Sequence, residues 1–188
     1  MTKEVTQGKG GRNPWRIAGW GLAATLWLIP LATMRITDAV NWTAFDFVFA
    51  AVMIGGVGIA FELAVRTTRN LAYRAGSGLA LVTAFLLIWI NAAVGIIGDE
   101  GNPLNLLYGA VLAIALAGAI GARFRARGMA RAMTAAAIVQ ALVGGVAVVA
   151  GGSAPPGPTG QIVLNGLFVL LFAGAALLFA RAAGTADG

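Results

Sequence analysis

Residues 79–97 read LALVTAFLLIWINAAVGII, a run without a single charged side chain. A helix needs about 20 residues to cross a hydrocarbon core about 30 Å thick, and this stretch fits that requirement in length and composition. Working outward, comparable apolar runs cover residues 17–34, 45–65, 104–122, 132–150 and 162–180. The chain is 59% hydrophobic and 11% charged, whereas charge in soluble domains runs near ~25%. The runs and their short connections use nearly all 188 residues, which leaves no room for a second folded domain. The expectation is an all-α polytopic membrane protein. It consists of a bundle of six transmembrane helices over residues 14–182, with a disordered basic tail at 1–13 and a short tail at 183–188.

The cations then orient the bundle. Lys3, Lys9, Arg12 and Arg16 precede the first run. Arg66, Arg69 and Arg74 lie between the second and third, and Arg123, Arg125, Arg127 and Arg131 between the fourth and fifth. Arg181 follows the last, so Arg35 alone among the 13 Lys and Arg residues falls on the other side. Lys/Arg excess marks cytoplasmic loops, which predicts both termini inside the cell. The same residues imply contact with anionic lipid headgroups on that side. A net charge of +6 does not point to nucleic acid, because the cations flank apolar helices instead of forming a compact basic face. The first run is longer than a secretory signal core and no small-x-small cleavage site follows Pro30, so a retained helix is expected.

What is missing restricts the chemistry. The chain has no Cys and no His, which excludes disulfides, thiolate catalysis, Fe–S clusters, histidine-held haem and ordinary zinc sites. Both lysines sit in the N-terminal tail, so none is buried to carry a Schiff base. No metal, cofactor or catalytic residue is assigned.

Pro30 cannot donate to the Leu26 carbonyl, which predicts a kink in the first helix. Gly55, Gly56 and Gly58 clear one band of the second helix, and Ala113/Ala117 with Gly118/Ala122 are small-xxx-small pairs suited to helix contact.

Three sets of polar residues are candidates for a site. Glu62, Asn91 and Gln140 could line a transport pathway, although Glu62 also stands four residues before Arg66 in the favourable ion-pair order, and amides commonly bond neighbouring helices. Asp46, Asp99, Glu100, Asn102, Asn105, Tyr108 and Asn165 all project to the outer face, where their oxygens could hold a hard cation or a polar headgroup. Asp46 has a second reading as a capping carboxylate for Thr43. The run from Asp99 departs from a calcium loop, because Gly101 and Pro103 stand where oxygen ligands are needed. The third set is the cytoplasmic basic turns: Arg66, Arg69, Arg74, Arg123, Arg125, Arg127 and Arg131.

Residues 89–108 (WINAAVGIIGDEGNPLNLLY) and 122–133 (ARFRARGMARAM) resemble a group of small bacterial multi-pass inner-membrane proteins with no assigned activity. The resemblance implies a bacterial inner-membrane address and supplies no catalytic residue, cofactor or partner. Abundant small residues and scarce intramembrane charge favour a non-enzymatic protein acting through helix association, as a homo-oligomer or an accessory subunit. A small transporter or channel for a polar solute or ion is the alternative. A lipid-modifying enzyme using Asp99 or Glu100 is a further one.

Overall fold

The computed structural model describes residues 14–152 and 156–185. The expected tail at 1–13, residues 153–155 between the last two runs, and residues 186–188 lie outside them. The described residues form six α-helices: α1 (Pro14–Thr33), α2 (Ala44–Thr67), α3 (Leu71–Val94), α4 (Leu106–Gly121), α5 (Ala126–Gly151) and α6 (Gly157–Gly184). A 3-10 turn, Pro103–Asn105, leads into α4. Five of the six helices, α2 to α6 with the 3-10 turn counted into α4, are long and apolar enough to span a membrane.

The chain divides into two compact units, one up to Gly58 and one from Ile59 onward. In the first, α2 runs back along α1. The Trp27 indole donates to the Phe47 carbonyl (2.8 Å), and the two rings meet edge to face at 5.6 Å. Of the glycines in α2, Gly58 meets the Trp20 ring, 3.1 Å from where its Cβ would lie. Thr43 donates its backbone N–H (2.7 Å) and its hydroxyl (2.8 Å) to the Asp46 carboxylate, which closes the start of α2.

In the second unit α6 packs against α3 and α5, and α4 packs against α5 and also meets α3. The buried face of α6 carries Gln161, Asn165, Phe168, Phe172, Ala175 and Phe179, steps of three and four that keep one stripe inward. Small residues set how close the helices come. A Cβ on Gly144 of α5 would lie 2.8 Å from the Asn165 Cβ of α6, and one on Gly118 of α4 2.7 Å from the Ala132 Cβ of α5. Outward faces remain apolar, with Leu106, Ile138, Leu142, Val149, Leu170 and Leu177 all exposed. In a bilayer that is ordinary, since lipid tails are as apolar as leucine.

The expected loops are mostly helix ends. Only residues 68–70 separate α2 from α3, and only 122–125 separate α4 from α5. Arg66, Arg74, Arg127 and Arg181 therefore sit in terminal turns of helices, and Arg131 in the second turn of α5. Long arginine stems let the charge reach water from a helical backbone, so the turns can be this short. Arg74 reaches back to accept a structural duty, donating to the Thr68 and Val65 carbonyls (2.8 Å each) at the end of α2. In the α4–α5 turn Arg123 and Phe124 both have positive φ (49° and 56°), and the Tyr73 hydroxyl donates to the Phe124 carbonyl at 2.7 Å.

Candidate functional site

At the end of the second unit opposite the arginines, α3 stops at Val94 although the sequence stays apolar to Ile97. Gly95 turns the chain with φ +68°, a conformation that L side chains rarely adopt. Ile96 and Ile97 then run non-helically and fully buried. Buried backbone groups outside a helix need other partners. Asn105 supplies most of them. Its Oδ1 accepts from the Ile96 and Ile97 N–H groups (3.1 and 2.9 Å), and its Nδ2 donates to the Asp99 and Ile97 carbonyls (2.7 and 3.4 Å). The Gln161 side-chain amide of α6 donates to the Ile96 carbonyl.

From Gln161 the bonds continue inward. The Asn165 amide donates to the Gln161 side-chain oxygen (3.1 Å) and to its backbone carbonyl (2.9 Å). The Asn165 oxygen accepts from the Tyr108 hydroxyl of α4 (3.0 Å) and from the Gln140 amide of α5 (2.9 Å). Asn91 of α3 donates to the Asn105 backbone carbonyl (3.1 Å). Helices α3, α4, α5 and α6 thus each put an amide or hydroxyl into this polar seam, and the same helices carry the buried hydrophobic core, Leu87, Val111 and Phe168 among it.

The candidate residues are regrouped by this geometry. Asn105, Tyr108 and Asn165, expected together at the outer face, do come together, and Gln140 and Asn91 of the pathway set join them. Gln161 was not foreseen. Its signal was its position four residues before Asn165 and seven before Phe168, on the buried stripe of α6. Asn102 caps the 3-10 turn, accepting from the Leu104 N–H at 3.0 Å. Asp99 accepts from the Gly101 N–H (3.0 Å) and is exposed, as is Glu100. Glu62 bonds Arg66 at 2.5 Å near the arginine end of the unit, away from the seam. Asp46 belongs to the first unit.

Asn105 and Asn165 have every donor and acceptor engaged. Two buried acceptors are left over, Gln140 Oε1 and Asn91 Oδ1. Among the described residues no carboxylate or cation side chain is bonded into this seam, and the Tyr108 hydroxyl donates to an amide oxygen. Among the described residues no group of three or more Asp, Glu, His or Cys is placed to hold a metal. Because its carbonyl has no donor, Gln140→Met is expected to unfold within about 1 kcal/mol of the wild type in detergent. A much larger loss would mean that Gln140 Oε1 has a donor in the folded protein.

No family model, curated protein or solved structure matches the chain. Its functional reading therefore rests on its own geometry.

Proposed function

We propose that the chain is a non-enzymatic integral membrane protein that works through helix association, as a homo-oligomer or as an accessory subunit of a membrane complex. The reading includes six spans, with both termini cytoplasmic, in a bacterial inner membrane. The observation that carries it is a face of α4. Gly109, Ala113, Ala117 and Gly121 recur every four residues and are all exposed. A Cβ on either glycine would meet no atom of the four-helix unit within 4 Å. Four-residue spacing places all of them on one stripe, and small side chains let another backbone approach closely. The neighbouring small residue Gly118 already serves that purpose against α5. One small face of α4 is filled within the second unit and the other is open there.

The polar residues give transport less support. Glu62 pairs with Arg66, while Asn91 and Gln140 bond into the seam that holds the helices together. For a lipid-modifying enzyme, Asp99 accepts a bond from its own loop, and both it and Glu100 are exposed.

In mild detergent the wild type is expected to run as a defined oligomer or with a defined partner. Ala113→Leu combined with Ala117→Leu overpacks the open stripe. At about 1–3 kcal/mol for overpacking, association should weaken roughly 5- to 150-fold with helical content unchanged. A wild type that is a clean monomer at every concentration, without a partner, ends this proposal.

A further inference from the structure

We propose that the arginine-bearing end of the second unit is a docking surface for anionic phospholipid headgroups of the leaflet it meets. Two long-range bonds gather the helix ends here. Tyr73 ties the start of α3 to the α4–α5 turn, and the Asn70 amide donates to the Thr185 hydroxyl (2.8 Å), bringing in the end of α6. Arg69, Arg123, Arg125, Arg131 and Arg181 are exposed on these ends. Glu62 is the sole described carboxylate at this end, and it is bonded to Arg66.

Charge alone would fit any polyanion, and the apolar neighbours narrow the choice. Phe124 is 56% exposed at the tip of the turn between Arg123 and Arg125, and Ile120 near the end of α4 and Leu71 at the start of α3 are 57% and 78% exposed. The turn holds Phe124 there in a left-handed conformation, secured through its carbonyl by Tyr73. A surface that alternates guanidinium with exposed hydrocarbon is complementary to an amphiphile. The phosphates take the bidentate arginine forks and the acyl chains take the phenylalanine, isoleucine and leucine.

The test is native mass spectrometry of the full chain released from micelles containing equal phosphatidylglycerol and phosphatidylcholine. At about 1 kcal/mol per surface cation, the wild type should retain phosphatidylglycerol with a preference of about tenfold or more. Arg123→Gln, Arg125→Gln and Arg131→Gln together should bring that preference to about even, while Arg35→Gln leaves it intact. If the triple variant does not fold, the wild type still decides, because its preference should fall as salt rises from about 50 to about 500 mM. An equal preference in wild type and triple variant overturns the proposal, as does a wild-type preference insensitive to salt. Equal competition by inorganic phosphate would reassign the face to free phosphate. Salt-sensitive binding of polyglutamate without any lipid preference would reassign it to an acidic peptide.

Discussion

Asn105→Leu is expected to lower stability by about 3–5 kcal/mol, since each buried backbone donor left without a partner costs roughly 1–3 kcal/mol. The substitution strips the N–H groups of Ile96 and Ile97 of their acceptor at once, and it frees the Asp99 carbonyl. Both isoleucines are fully buried, so water is not at hand to replace the lost bonds. Asn102→Ala provides the comparison a few residues away. It loses one capping bond, to the Leu104 N–H, and should cost about 1 kcal/mol. The measurement is denaturant unfolding in detergent with amide exchange read at residues 96 and 97. Exchange there should accelerate in the leucine variant and stay slow in the alanine variant. If both variants unfold alike, Asn105 is not what holds the buried segment in place.

That segment marks where reading the sequence stopped short. Hydropathy reports burial, and burial continues through Ile97, so residues 79–97 look like one span. The backbone obeys a different constraint and leaves the helix at Gly95. Similarly, the cations carry an expected orientation in the sequence, but the capping of α2 by Arg74 depends on the α2–α3 connection being only three residues long. Asn105, Tyr108 and Asn165 were legible as one level of the bundle because each stands near the same end of its apolar run. Gln140 was assigned to a separate pathway, and its meeting with Asn165 follows from the register of α5 against α6. That register is set by side-chain volume at a few contacts, which a single sequence does not display. Gln161 was overlooked for a simpler reason. It stands just before the apolar run at 162–180 and looks like the edge of a loop, whereas in the structure it is 1% exposed.

The register argument makes a second large effect expected. Gly144→Leu should cost at least about 3 kcal/mol, at or beyond the upper end of ordinary overpacking. Its Cβ would begin 2.8 Å from the Asn165 Cβ, and the branched side chain beyond it has no room between two helices already in contact. The nearest relief is separation of α5 from α6, which stretches the 2.9 Å bond from Gln140 to Asn165 and, as α4 follows α5, the 3.0 Å bond from Tyr108 to Asn165. The adjacent Gly145 is the internal control. It is exposed, and nothing lies within 4 Å of its missing Cβ. Gly145→Ala should be neutral or stabilising by up to about 1 kcal/mol through helix propensity alone. Thermal unfolding of the two variants side by side separates a helix-packing glycine from a merely flexible one. Equal losses at both positions would show that the close approach of α5 and α6 does not govern the seam, and a neutral Gly144→Leu would place Asn165 elsewhere altogether.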